Sequence, residues 1–269
     1  MHGLLRAARR PRHRVATLAA AMLLAAGSAR AMEGGRAPAP GDAAAAATVA
    51  VETAVPVSHD RAHFSYCTGV LVARDLVLTA AHCLDGVTAA HVAVFRFTAG
   101  RAAPPVLRVT AVIRNPHAEA RWASRPGTAA ERQRAVAADF ALLRLATPLA
   151  ATPLPIGGAG APPGPLRMLA AGADGPGRGP SGTLKAAALT RLYLTRTGPP
   201  LGFATPAGAR ACRGDSGGPV VAETTRGPVL WGLVGAVIPA KGGCSRRAVL
   251  VRLGEAGLHS LLAAAASTP

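Results

Sequence analysis

Ser216 stands inside Gly214-Asp215-Ser216-Gly217-Gly218-Pro219, a setting that suits nucleophilic attack. A serine hydroxyl is a weak nucleophile at neutral pH, so it needs an adjacent base and a stiff backbone to aim it. Flanking glycines permit a tight turn without side-chain clashes. Six histidines follow residue 31 (His59, His63, His82, His91, His117 and His259), and only His82 has a distinctive context. It lies in Thr79-Ala80-Ala81-His82-Cys83, after Cys67-Thr68-Gly69-Val70-Leu71-Val72. An imidazole there suits taking the serine proton and returning it to a leaving group. A third partner would be a carboxylate that orients the imidazole and stabilises its cation. Asp85 precedes Gly86 and Asp174 precedes Gly175-Pro176, both turn signals, whereas Asp139 opens the apolar run Phe140-Ala141-Leu142-Leu143-Arg144-Leu145.

These residues need a scaffold, and the chain has material for one. Half of its 269 residues are apolar and 16% are charged, which argues against wholesale disorder. Short Val- and Leu-rich runs recur between turn residues. Among them are 68–72, 76–79, 91–97, 106–113, 140–145, 166–170, 229–237 and 248–253. Many short strands with frequent Gly and Pro predict an all-β sandwich or barrel. Residues 32–48, rich in Ala, Gly and Pro, read as a loose N-terminal segment. The polar, Arg-rich stretch 115–138 reads as a long surface loop or short helix, and the Gly/Pro-dense stretch 157–164 as a joint between two halves. In the tail 254–266, Leu258, Leu261 and Leu262 recur at helical spacing.

The first 31 residues read as a signal peptide. Arg6, Arg9, Arg10, Arg12 and Arg14 precede the apolar run Val15 to Ala26, and Ala29-Arg30-Ala31 offers small residues for cleavage near Ala31. That run is too short for a comfortable membrane span, so export to a secreted or periplasmic location is expected, without stable membrane insertion. The segment carries six arginines and no acid, so its removal lowers the net charge from +17 to +11. The remaining charge is scattered Arg without aromatic interleaving, which predicts a solvated basic surface with no specific nucleic-acid partner. Four cysteines in an exported chain, Cys67, Cys83, Cys212 and Cys244, suggest two disulfides, and spacing leaves three pairings open.

The Ser216 segment, the Thr79–Cys83 segment and the Asp139–Leu145 segment together resemble the trypsin/chymotrypsin-like serine peptidases, in the form of a bacterial-type secreted member. The resemblance covers most of the chain after residue 31. It implies two six-stranded antiparallel β-barrels packed face to face with the active site between them, and a C-terminal helix. The first barrel would be 49–156, carrying His82 and Asp139; the second would be 157–269, carrying Ser216 and the helix. His82, Asp139 and Ser216 would form the catalytic triad of an endopeptidase acting on protein or peptide substrates through an acyl-enzyme. The N–H groups of Gly214 and Ser216 would form the oxyanion hole. Cys67 would pair with Cys83, and Cys212 with Cys244. Asp215 would form an ion pair with a new α-amino group. No Ile-Val-Gly-Gly segment precedes the barrels, but cleavage after Ala31 would expose Met32-Glu33-Gly34-Gly35, an imperfect echo.

Two places depart from the family pattern. The residue six before the nucleophile, which governs substrate preference in the family, is Arg210. A guanidinium in the pocket would pair with an acidic P1 side chain, or alternatively would snorkel to solvent or close the pocket. The strand that pairs with substrate reads Val237-Ile238-Pro239-Ala240 in place of Ser-Trp-Gly, which puts Ile238 and Ala240 in the specificity pocket. Arg246 and Arg247, just after Cys244, are expected to line the same region. These departures support an alternative, a weak or inactive homologue used as a binding module; a basic exported protein that binds polyanions is a third reading. No cofactor is implied, and no His/Cys/Asp cluster outside the triad has metal-ligand spacing.

Overall fold

Val220 and Val221 are both fully buried, yet they belong to different cores, because successive strand residues point to opposite faces. A run of this kind reads as continuously apolar where both sheet faces are covered. The computed structural model describes residues 32–58, 61–120, 126–158, 160–175, 182–237, 243–253 and 256–267. The signal-peptide expectation, at residues 1–31, lies outside them.

Strands β1 (Thr48–Ser58), β2 (Arg61–Ala73), β3 (Leu76–Thr79), β4 (Val92–Thr98), β5 (Arg101–Arg114) and β6 (Ala141–Leu145) form one closed barrel, in the order β1-β2-β3-β6-β5-β4. A second comprises β7 (Leu166–Ala170), β8 (Lys185–Leu194), β9 (Leu201–Pro206), β11 (Pro219–Thr224), β12 (Gly227–Val237) and β14 (Ala248–Arg252). It closes in the order β11-β12-β14-β9-β8-β7. Interspersed in sequence among the strands of the second barrel, the two-residue strands β10 (Ala211–Cys212) and β13 (Cys244–Ser245) pair with each other. Every strand pairing is antiparallel. The architecture is therefore all-β, with two six-stranded barrels.

The cores explain how the barrels meet. Val70, Leu78, Leu142 and Leu143 of the first barrel share one cluster with Leu169, Val221, Leu230, Leu233 and Val251 of the second. Met168, Val220, Trp231, Val234 and Leu250 form the interior of the second barrel. Helix α1 (Ala43–Ala47) is capped by Asp42, whose Oδ1 accepts the N–H groups of Ala44 and Ala45. Helix α2 (Ala129–Ala137) starts at a reciprocal capping box between Thr128 and Glu131. Helix α3 (Ala256–Ala266) turns Leu258, Leu261 and Ala265 into the shared core, and its Ala265 carbonyl accepts from Arg144 of β6. The last helix is thereby tied back to the first barrel. Among the described residues, no helix is long and apolar enough to cross a membrane.

Residues 32–48 are not a loose segment. Met32 is completely buried in the second barrel's core, beside Met168, Ala170, Ala187 and Ala211. Glu33 accepts the Arg210 N–H through its backbone carbonyl, and Arg36 bridges Ala186 of β8. Arg167 of β7 grips Asp42 with two hydrogen bonds of 2.7 and 2.9 Å. One buried methionine and backbone pairing anchor a stretch whose composition suggests only a loose N-terminal segment.

Candidate active site

His82 sits in the 3-10 turn Ala81–Leu84, directly after β3. The turn is pinned by the disulfide from Cys83 to Cys67 of β2. Asp139 follows α2 and precedes β6, with its N–H donating to the Val136 carbonyl. Its side chain is only 1% exposed, and both oxygens face His82. Oδ1 accepts the His82 backbone N–H at 2.8 Å, while Oδ2 lies 2.6 Å from Nδ1. One carboxylate thus fixes both the turn and the ring. With Nδ1–H donated to Asp139, Nε2 is the nitrogen left to exchange protons. Burial disfavours the imidazolium, but the charge and hydrogen bond of Asp139, with a smaller contribution from Asp85, outweigh it. The His82 pKa is therefore raised above its ordinary 6.5.

Ser216 lies in the turn between β10 and β11. Gly214 and Gly217 adopt left-handed φ values of 92° and 78°. Gly217 is also squeezed: a Cβ there would lie 2.2 Å from the Thr68 carbonyl oxygen and 2.3 Å from Thr79 Oγ1. Its N–H donates to Val234 at 2.7 Å, which locks the turn onto β12. Thr68, a residue the sequence reading did not single out, joins the two halves. Its N–H donates to the Ser216 carbonyl at 2.8 Å, and its Oγ1 donates to the Gly214 carbonyl at 3.0 Å. The same Oγ1 accepts the Ala171 N–H at 3.1 Å, and the Thr68 carbonyl accepts from Thr79 Oγ1 at 2.7 Å. This backbone network therefore ties the Ser216 turn to the strands that flank the His82 turn. Among the described residues no hydrogen bond joins the two side chains, and catalytic bonds of that kind commonly tighten only when substrate arrives.

Asp215 is wholly buried. Its Oδ1 accepts the Gly172 N–H at 3.0 Å and its Oδ2 accepts the Cys212 N–H at 2.7 Å. Burial raises its pKa to about 7, against the opposing pull of those two N–H groups. No side chain was found by sequence reasoning to serve Asp215; Gly172 serves it through the backbone. A Cβ at Gly172 would fall 2.6 Å from Asp215 Oδ1, so only glycine fits.

Cys212 pairs with Cys244, alongside the β10–β13 ladder. Arg210, just before β10, has its Nη1 3.1 Å from Glu33 Oε2, and its Nη2 donates to the Cys244 carbonyl at 3.3 Å. The other expected pocket residues, Ile238 and Ala240, lie outside the described residues. Cys67, His82 and Cys83 cluster in space, as do Glu33, Cys212 and Cys244, but all four sulfurs are in disulfides and offer no thiolate to a metal.

A family model described as Trypsin matches residues 33–253, which span both barrels and include His82, Asp139, Arg210, Asp215 and Ser216. No match is found among curated proteins.

Proposed function

The chain belongs to the trypsin family of serine peptidases, and from that premise we propose that it is an exported endopeptidase using Ser216, His82 and Asp139 as a triad. The observation that carries this reading is the double grip of Asp139 on His82, at its ring and its backbone. Such a grip sets the tautomer and stabilises the cation that forms when the ring takes a proton.

The steps follow from the placement of the groups. As Ser216 Oγ attacks the scissile carbonyl carbon, its proton passes to His82 Nε2. The carbonyl oxygen becomes an oxyanion held by the N–H groups of Gly214 and Ser216. The C–N bond then breaks as His82 returns the proton to the leaving amine, which leaves an acyl-enzyme on Ser216. Water, deprotonated by His82, attacks the ester, and the proton goes back to Ser216 as the acid product leaves.

Export and activation are coupled in this reading. Cleavage near Ala31 delivers the chain to a secreted or periplasmic location and frees the α-amine of Met32. Met32 shares a core with Ala170 and Ala211. Ala211 is adjacent to Cys212, and Ala170 lies two positions before Gly172; the N–H groups of Gly172 and Cys212 hold Asp215. The new amine would meet the Asp215 carboxylate, so no separate zymogen step is needed.

The test is digestion of a peptide library by the exported, purified protein. Cleavage that vanishes in Ser216→Ala supports the reading. An intact library, with both proteins folded, favours a binding module on the same fold; the engagement of Arg210 by Glu33 is the observation in that alternative's favour.

A further inference from the structure

Arg210 does not present an uncompensated cation. Glu33 is held against it twice, through its backbone carbonyl, which accepts the Arg210 N–H at 2.8 Å, and through Oε2, which lies 3.1 Å from Nη1. We infer that Glu33 is a specificity-determining residue: its carboxylate neutralises Arg210, so that the pocket favours an uncharged P1 side chain over an acidic one. The inference rests on the peptidase reading above.

Glu33 has little freedom to leave. Gly34 beside it has φ 78°, and a Cβ there would sit 2.3 Å from the Gly208 carbonyl oxygen, so this backbone lies flat against residues 208–210. The Glu33 carboxylate also comes within 4.8 Å of the Cys212 and Cys244 sulfurs. Arg210 is anchored from the other side by the Cys244 carbonyl. The Nη1–Oε2 approach is not an aligned hydrogen bond, since Oε2 accepts none. The pair therefore acts through charge. Both side chains remain about one-third exposed, lining an open cleft of about 540 Å³ with Thr190, Thr205 and Arg246.

An incoming substrate carboxylate would feel attraction to Arg210 and repulsion from Glu33 at similar distances, and the two nearly cancel. Specificity here would come from a built-in repulsive element as much as from an attractive one.

The experiment compares wild type, Glu33→Gln, Arg210→Ala and the double variant on matched peptides carrying Glu, Ala or Lys at P1. The readout is the ratio of kcat/KM values within each enzyme, because a defect in folding or amine insertion lowers all three alike. Glu33→Gln should raise the Glu:Ala ratio about tenfold, the effect of removing one such charge interaction. The double variant should return it to the wild-type value. Arg210→Ala should lower the Glu:Ala ratio and raise Lys:Ala, which serves if Glu33→Gln does not fold. Unchanged ratios in both single variants would overturn the inference, as would a Glu33→Gln gain that persists in the double variant. Fluorophosphonate labelling of Ser216 is run in parallel. A wild type that neither labels nor cleaves overturns the peptidase reading and this inference with it, whereas labelling with unchanged ratios overturns this inference alone.

Discussion

The Thr68 N–H donates to the Ser216 carbonyl at 2.8 Å, across 148 positions of sequence and from the first barrel to the second. Its hydroxyl extends the bridge to Gly214 and Ala171. Since Cys67, the preceding residue, is bonded to Cys83 beside His82, one short stretch of β2 sets the positions of both the serine and histidine turns.

Thr68→Val should therefore impair activity more than binding. The substitution keeps the backbone N–H but strips partners from the part-buried Gly214 carbonyl and the buried Ala171 N–H. Each unsatisfied group costs about 1–3 kcal/mol. The expected result is a lower melting temperature together with a fall in kcat that exceeds any rise in KM. Steady-state kinetics and thermal melts check both.

Asp139→Asn should preserve the fold yet cut kcat by about 10⁴-fold, because an amide in place of the carboxylate favours the wrong imidazole tautomer. The pH profile gives a second sign. Since Asp139 raises the His82 pKa against burial, removing its charge should move the midpoint of the acidic limb to lower pH. A base must be neutral to act, so wild-type activity falls as pH drops through the raised pKa. A kcat/KM profile of both proteins measures the shift.

Gly217→Ala tests the serine turn. A Cβ at φ 78° and 2.2 Å from a carbonyl oxygen cannot be accommodated without moving the turn. Strain at such a position costs about 1–3 kcal/mol before the clash is counted. The variant should melt at a lower temperature and lose peptidase activity.

Asp215 supplies a pH test of export-coupled activation. In the uncleaved chain its carboxyl, ordinarily near 3.8, is raised to about 7. The folded state then holds a proton that the unfolded state has released between those values. Stability should fall as pH rises from about 4 to about 7. A variant blocked at Ala31 should show that decline in thermal melts, whereas the cleaved protein, with an amine beside Asp215, should not. A mature N-terminus that begins well downstream of Met32, within residues 43–51, would sink this part of the account.

Much of the fold was legible because strand periodicity and turn residues are local properties. The runs at 76–79 and 166–170 coincide with β3 and β7, and the leucine spacing of the tail matches α3. Strands β8 and β9 are harder to see, since Lys185–Leu194 opens on Lys185 and three alanines and is mostly exposed or half-buried, and Leu201–Pro206 is interrupted by Gly202 and ends in Pro206. The serine and histidine turns announce themselves because their conformations demand particular residues over five or six consecutive positions. Thr68 and Glu33 do not. Their contacts lie in tertiary space, and the signals available were only the adjacency of Thr68 to Cys67 and of Glu33 to Met32. The partner of Arg210 was likewise invisible, being 177 positions away in sequence.

The central claim is that Ser216 is a nucleophile activated by His82. Treatment of the exported protein with a fluorophosphonate, followed by intact mass and peptide mapping, addresses it directly. The account predicts a single adduct on Ser216, absent in Ser216→Ala and formed far more slowly in His82→Ala. A correctly processed, folded protein that takes up no label, or labels equally fast without His82, would contradict it.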